Sequence, residues 1–391
     1  MKLLLIKLPE PVGLSMSATY VPPIGLWSIR EAARQHGDEC RVIDMHIGDR
    51  LPRLRRYDVI GLSVQFSTQH DEYVRLAAEC KKRSKAWIVA GGFHAAAVGA
   101  VPGVDEICSA GGETFFYPGE SAICPYPDEE DMRPYWDRGR PHDLTAKHYR
   151  WMPIETSRGC GRNCNFCGVR RFWGKWRPID NSVEYLRYLR TIGVKELFVE
   201  DDNFVWQDEH LDRILPMLNE FSWSTPNGID VHEMMPHLDK FTGCRRLSLP
   251  FETGSRITAR LMALGDKWLS LEQAHHVVGR IHDRGIETCG FFIIGYPGES
   301  LDDIQRTLDY ANSLPLDHRH IYIATPYPGT RLYDVCKERG GLRYDGPDLY
   351  RRLQYTEGMI DTPAWTGEQI TEIRAADREA AIARRVQKDT T

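Results

Sequence analysis

The sequence predicts an α/β protein in two parts: an N-terminal doubly wound domain over residues 1–116, then a partial (β/α)6 barrel over residues 151–340. Two observations carry this. Short runs rich in Val, Ile and Leu alternate with helical patterns in both parts, and such alternation implies parallel strands joined by crossover helices. Glycine and polar residues gather where the strand-like runs end, which is where sheets of this kind place their ligands. The length, 391 residues, suits two domains or one barrel with an extension.

In the first part, strands are predicted at Leu3–Leu8, Cys40–Asp44, Asp58–Val64, Ala86–Ala90 and Val104–Cys108. One helix opens at Pro22-Pro23 and closes at Gly37, and a second covers residues 69–83. The fourth strand ends in Gly91-Gly92 and the fifth in Gly111-Gly112-Glu113. The arrangement is Rossmann-like, with its crevice at the strand C-termini. Residues 117–150 read as a loop-rich linker (Tyr117-Pro-Gly-Glu, Pro125-Tyr-Pro-Asp, Arg138-Gly-Arg-Pro) where a closing helix is expected.

In the second part, strands are predicted at 153–159, 195–200, 222–229, 246–252, 286–294 and 321–325. Helices fall between them at 180–192, 208–220, 231–241, 256–264, 271–284 and 300–313. Polar residues at the strand ends then converge on one mouth. After residue 340 the chain turns polar, and 366–388 reads as one charged helix in a C-terminal extension, 341–391.

Composition narrows the partners. The apolar fraction is 42% and the net charge −5, ordinary for a soluble globular chain. No stretch reads as a basic arm, so nucleic acid is not an expected partner. The opening Met1–Lys7 is too short and too lysine-broken for a signal core, and no window approaches a membrane span. A cytoplasmic protein is expected.

Seven of the ten cysteines are scattered singly, many in apolar runs, where a free Cys is usually a small core hydrophobe. The exception is Glu155-Thr-Ser-Arg-Gly-Cys160-Gly-Arg-Asn-Cys164-Asn-Phe-Cys167-Gly, spaced C-x3-C-x2-C. Chance would produce this spacing roughly 0.006 times per chain at this cysteine frequency. Structural zinc wants four ligands in two pairs, and no His lies near until His148. A redox pair needs only C-x-x-C. Three thiolates on one tight loop suit a [4Fe–4S] cluster with one open iron, while zinc and accidental core cysteines remain the alternatives.

This loop resembles the hallmark of the radical S-adenosylmethionine superfamily, C-x3-C-x-aromatic-C, on a TIM-type partial barrel. The resemblance implies that Cys160, Cys164 and Cys167 ligate the cluster and that Phe166 packs by the adenine of S-adenosylmethionine. Glu200-Asp201-Asp202-Asn203 is similar to the family's second-strand acidic motif near the S-adenosylmethionine amino group. Glu252-Thr-Gly254-Ser255 resembles its fourth-strand motif, whose Glu reaches the ribose hydroxyls, and the segment ending Gly295-Tyr-Pro-Gly-Glu resembles its glycine motif lining the adenine. Each acidic cluster also has a reading as a helix cap, and capping is preferred for Asp208 and Asp302. Gly295 and Gly298 could equally make a turn. Trp173, Trp176 and Trp206 could shape a pocket, though packing is the commoner role for such residues.

The N-terminal part resembles the cobalamin-binding domain that precedes many members of that superfamily, through Pro23-Ile-Gly-Leu, Val42-Ile-Asp44, Gly61-Leu-Ser63, Val89-Ala-Gly91-Gly92-Phe93-His94 and Gly111-Gly112-Glu113. Ser63, Gly91 and Gly92 would border the corrin. The D-x-H-x-x-G motif that supplies a lower histidine to cobalt is missing, and His46 reads as a surface-loop histidine. The resemblance implies an enzyme that cleaves S-adenosylmethionine reductively to a 5′-deoxyadenosyl radical and methylates an unactivated carbon with cobalamin. The alternative is a cobalamin-independent oxidation, rearrangement, epimerisation or cyclisation of a natural product or peptide. A non-enzymatic zinc or cluster-sensing protein is the third reading. The expected partners are a small-molecule or peptide substrate and a reductant such as flavodoxin or ferredoxin.

Overall fold

The computed structural model describes residues 1–10, 20–139 and 146–389. Arg140-Pro141 of the expected linker lies outside them. Contacts divide the chain into two compact units. The first comprises Met1–Gly161, Gly168–Asn227 and Lys240–Arg245; the second comprises Arg162–Cys167, Gly228–Asp239 and Arg246–Thr391. These units do not follow the domain boundaries expected from the sequence, since the first joins the doubly wound sheet to the opening strands of the second part.

The first unit opens with β1 (Lys2–Lys7), α1 (Ile24–Gln35), β2 (Glu39–Asp44), β3 (Val59–Ser63), α2 (His70–Arg83), β4 (Trp87–Gly91), α3 (Phe93–Val98), β5 (Glu106–Cys108) and α4 (Gly112–Phe116). The five strands are parallel in the order β2-β1-β3-β4-β5. The order reverses between β1 and β3, which makes that point the crevice of a doubly wound sheet. Alternate residues cover opposite faces. Leu4, Ile6, Ile60, Leu62, Ile88 and Ala90 pack with Tyr73, Leu76 and Cys80 of α2. Leu3, Val59, Val89 and Cys108 face the other way. Each fully buried aliphatic side chain contributes about 1.5–3 kcal/mol.

The segment expected to be a linker holds a helix. Residues Glu129–Trp136 form α5, opened by Asp128, whose carboxylate accepts from Asp131 N. Tyr135 Oη donates to Asp44 at 2.8 Å, and Arg30 pairs with Asp131. A helix therefore does close the domain inside the segment read as a linker. Its proline-bearing, acidic sequence hides an eight-residue span.

The first unit continues with β6 (Trp151–Ile154), β7 (Ser157–Arg158), α6 (Val169–Trp173), β8 (Arg177–Pro178), α7 (Ser182–Thr191), β9 (Glu196–Val199), α8 (Asp208–Leu218) and β10 (Ser222–Gly228). β6, β9 and β10 are parallel neighbours in that order. The short pair β7 and β8 is antiparallel, with Arg158 opposite Arg177.

The second unit holds α9 (Val231–Met234), β11 (Cys244–Glu252, shared at its start), α10 (Arg256–Leu261), α11 (Leu271–His282), β12 (Glu287–Ile294), α12 (Leu301–Ser313), β13 (His318–Ile323), α13 (Arg331–Glu338), α14 (Gly346–Tyr350) and α15 (Gly367–Asp389). β11, β12 and β13 are parallel neighbours. Six strands alternating with helices are thus present across the second part, as the pattern predicted. α15, the expected C-terminal helix, covers β13: Arg374 Nε donates to Ile321 O at 2.7 Å, and Arg319 pairs with Asp377. Covering a strand in this way protects its main-chain groups from pairing with other chains. Among the described residues no helix is long and apolar enough to cross a membrane.

Candidate functional site

In the first unit the site is built on the ends of β6 and β9. Asp201 is buried, and its carboxylate accepts from Thr156 N and Thr156 Oγ1, both at 2.7 Å, and from Ser157 Oγ. Thr156 Oγ1 also lies 3.0 Å from His210 Nε2. Asp202 Oδ2 accepts from Gly159 N at 2.9 Å, one residue before Cys160. Two of the three acids therefore fasten the chain that leads into the cysteine loop. Burial, with the Glu155 and Asp201 charges beside it, pushes Glu200 up to about 7. Burial likewise lifts Asp201 to about 7 and Asp202 to about 6, against the hydrogen bonds each accepts. Gly159 takes φ of +84°, and a Cβ there would stand 2.6 Å from Lys175 O, so the loop entrance has no room for a side chain.

The same unit holds a buried ion triad that sequence reasoning missed. Arg158 is 2% exposed and pairs with Glu113 and Glu155, each at 3.0 Å. Its guanidinium stands 4.8 Å above the Trp173 ring. Glu113 lies in the first turn of α4, which follows β5, so the pair ties the doubly wound domain to the strand feeding Cys160. The available signal was a lone arginine inside a β-prone run. Trp173 and Trp206 act in packing: Trp206 lies against Gly161, and Trp176 Nε1 donates to Ser157 Oγ.

The candidate corrin positions lie at the C-terminal ends of β3 and β4. Ser63 ends β3 and Gly91 ends β4. Ser63 Oγ accepts from Gln65 Nε2 at 3.4 Å. Gly92 has φ of +97°, and an added Cβ would stand 2.6 Å from Val64 O, so this glycine is required by the chain's own turn. Phe93 stacks on Phe172, with ring centroids 4.3 Å apart. His46 accepts from Glu10 N through Nδ1 and is half-buried, where an exposed loop position was expected.

In the second unit, the segment carrying Cys164, Phe166 and Cys167 is held by Asn165. Its N and Nδ2 donate to Met262 O and Leu261 O, and its carbonyl accepts from Leu332 N. Phe166 is half-buried. Arg162 binds Asp230 at 2.7 Å and also Asp266. Glu252 is buried in the left-handed region, φ +64°, and meets Lys267 Nζ at 2.7 Å. Burial pulls the Lys267 ammonium down, but the Glu252 and Cys164 charges outweigh it, and its pKa is raised. Lys267, which ends a single 3-10 turn over Gly265–Lys267, carried no spacing signal in the sequence. Ser255 caps α10 by accepting from Thr258 N and donates to Asp303 at 2.8 Å, while Gly254 N donates to Thr307 Oγ1. Gly295 opens the turn closed by Glu299, which accepts from Tyr296 N and Thr258 Oγ1. Asp208 and Asp302 sit in the first turns of α8 and α12 and are not the caps; Gln207 and Ser300 hold those positions.

Among the described residues, no group of three His, Cys, Asp or Glu side chains stands ready as a metal cage. The chemistry of the donor set nevertheless fits a cluster. None of the ten cysteines is in a disulfide, and six are buried as core residues. Cys160 and Cys164 are half-buried and Cys167 is exposed, which leaves these thiols accessible to an incoming cubane.

Comparison with known proteins agrees with this geometry. Residues 154–311 match the radical SAM superfamily model, and residues 12–116 match the B12 binding domain model. The chain is 31% identical over 246 residues to cytidylyl-2-hydroxyethylphosphonate methyltransferase of Streptomyces wedmorensis, covering 59% of this chain and 46% of that one. It is 24% identical over 422 residues to an uncharacterized methyltransferase of Pyrococcus horikoshii, covering 95% and 90%. The structure of TsrM, a radical S-adenosylmethionine methyltransferase from Kitasatospora setae with cobalamin and a [4Fe-4S] cluster bound, superposes with a TM-score of 0.63 at 16% identity, over 88% of this chain and 80% of that one. OxsB, a cobalamin-dependent radical enzyme, superposes at 0.59 and 16% identity, over 81% and 53%. The two folds agree, and the two family models fall on the two parts read from the strand–helix pattern. The chain thus carries a radical SAM superfamily domain over residues 154–311, preceded by a B12 binding domain over residues 12–116.

Proposed function

We propose that this chain is a cobalamin-dependent radical S-adenosylmethionine methyltransferase acting on an unactivated carbon of a small molecule. Residues 1–116 would serve as the corrin domain and 151–340 as the radical domain. The carrying observation is the buried Glu113–Arg158–Glu155 triad. It fixes the first turn of α4, in the doubly wound domain, to the strand entering the Cys160 loop inside one compact unit. Helix α5 adds to this, because the N-terminal domain is closed and not trimmed.

When bound, the cluster supplies the electron that cleaves S-adenosylmethionine, and cobalamin supplies the transferred methyl group. Cys160, Cys164 and Cys167 would hold the cluster. Phe166 and Gly295 would border the adenine. Glu252, paired with Lys267, would accept from the ribose hydroxyls, since a carboxylate accepting two donors gives oriented recognition. Glu200, with Asp201 and Asp202 behind it, and Gly254 with Ser255 would shape the rest of that pocket. Ser63, Gly91 and Gly92 would border the corrin. The phosphonate methyltransferase relative and the TsrM structure with tryptophan bound support a small-molecule substrate. The chain spans 46% of the length of the phosphonate methyltransferase relative, and the substrate is proposed at the level of class. The absence of a D-x-H-x-x-G histidine favours the second reading, radical chemistry without cobalamin.

Anaerobic reconstitution with and without cobalamin tests both. The expected result is about four irons and four sulfides per chain, bound corrin absorption, and cobalamin-dependent methyl transfer. Cys164→Ala should abolish 5′-deoxyadenosine release. Undiminished release in that variant sinks the cluster assignment, and full activity without corrin selects the second reading.

A further inference from the structure

We infer that the segment Arg170–Arg177 is the docking surface for an acidic one-electron carrier protein of the flavin or iron–sulfur class. The inference rests on the functional reading above, which requires an electron to reach the cluster in each reductive cleavage. The sequence Arg170-Arg-Phe-Trp-Gly-Lys-Trp-Arg177 places four cations and no anion in eight residues of a chain whose net charge is −5. It begins three residues after Cys167. The fold sorts it cleanly. Arg171, Lys175 and Arg177 are exposed, Phe172 and Trp173 are half-buried, and Trp176 is buried. Cations therefore point to solvent and aromatics inward, where Phe172 stacks on Phe93 and Trp173 lies under Arg158.

The patch is mounted rigidly beside the loop. Arg177 pairs with Arg158 across β7 and β8, two residues before Cys160. Arg170 Nη1 donates to Gly161 O at 2.9 Å, one residue after Cys160. Lys175 O is the atom that excludes a side chain at Gly159. The hydrogen bonds of Arg170 and Arg177 go to main-chain carbonyls, Gly161 O and Trp173 O. Elsewhere arginines meet carboxylates, as Arg75 meets Glu72 and Glu79. Arg170 and Arg177, hydrogen-bonded to neutral carbonyls, keep their field, and such a field steers an anionic partner and raises its association rate. The partner gives one electron and is oxidised by one; the cluster takes it up, and no bond forms or breaks in that step.

The test compares the reconstituted parent with Lys175→Glu/Arg177→Glu and with the milder Lys175→Met/Arg177→Met. Two readouts are taken: binding of oxidised, labelled flavodoxin by anisotropy, and the rate of cluster reduction by reduced flavodoxin or by dithionite. The charge-reversed pair should weaken binding and slow the flavodoxin rate by about tenfold or more, and flatten their salt dependence. The neutral pair should fall between. Reduction by dithionite and 5′-deoxyadenosine formation with dithionite should not change. Equal flavodoxin binding in parent and both variants overturns the inference, whatever dithionite does. So does retention of bulk tRNA by the parent that is lost in the variants while flavodoxin binding holds, which would give the patch to RNA. Failure of the parent to release 5′-deoxyadenosine with dithionite overturns the functional reading instead.

Discussion

The strand end at Glu200–Asp202 and the strand end at Glu252 bury the same group, a carboxylate, in opposite settings. After β9, Asp201 and Asp202 meet neutral donors: main-chain N–H of Thr156 and Gly159, and hydroxyls of Thr156 and Ser157. After β11 the single acid meets a cation, Lys267. Burial lifts Glu200 and Asp201 to about 7, and Asp202 to about 6 against the opposing Arg158 charge. Burial beside Glu252 leaves Lys267 more firmly charged than an ordinary lysine. The difference teaches that one sequence signal, an acid at a strand C-terminus, can serve as scaffold or as a charged contact. Only the neighbouring donors decide between the two.

The comparison breaks first at Lys267. Lys267→Met would strand a buried carboxylate, at a cost of about 3–5 kcal/mol in urea unfolding. Adding Glu252→Gln should recover most of it, and a single variant as stable as the parent would show that the pair is not one.

A smaller effect is expected at Asp201. Asp201→Asn keeps one acceptor and turns the other toward two hydroxyls, costing about 1–2 kcal/mol. It should also change the pH dependence. An acid whose folded pKa is raised stays protonated in the fold after the unfolded chain has released its proton. Stability therefore falls as pH rises from about 4 to about 7, and it is the lower-pH side that is favoured. Asp201→Asn should make the fall in melting temperature across that window shallower. An unchanged slope would mean that Asp201 is ionised throughout.

The smallest effect belongs to Asp202. Removing its one bond to Gly159 N in Asp202→Ala should cost about 0.5–1.5 kcal/mol, read as faster hydrogen exchange at Gly159. No change at that amide would detach Asp202 from the loop.

Much of this molecule was legible as pattern. The C-x3-C-x2-C spacing, the alternation of strands and helices and the glycine-bearing strand ends are local properties, fixed by side-chain period and backbone sterics. They were enough to name both parts and the cysteines at 160, 164 and 167. The helix at Glu129–Trp136 was missed because Pro134 and three acidic residues break the usual apolar period, while its stability comes from Arg30 and Asp44, far away in the chain. The basic octad at 170–177 was passed over because charge composition was read along the chain, and what makes it a surface is that its aromatics turn inward.

By itself the sequence determined the donor set, the strand order in time and the residues that end each strand, because these depend only on neighbours along the chain. Tertiary structure alone decided which acids are scaffold, that Arg158 joins Glu113 to Glu155, and that Lys267 reaches Glu252. Those are pairings between charges brought together by burial, and the strength of a buried charge depends on what surrounds it in space.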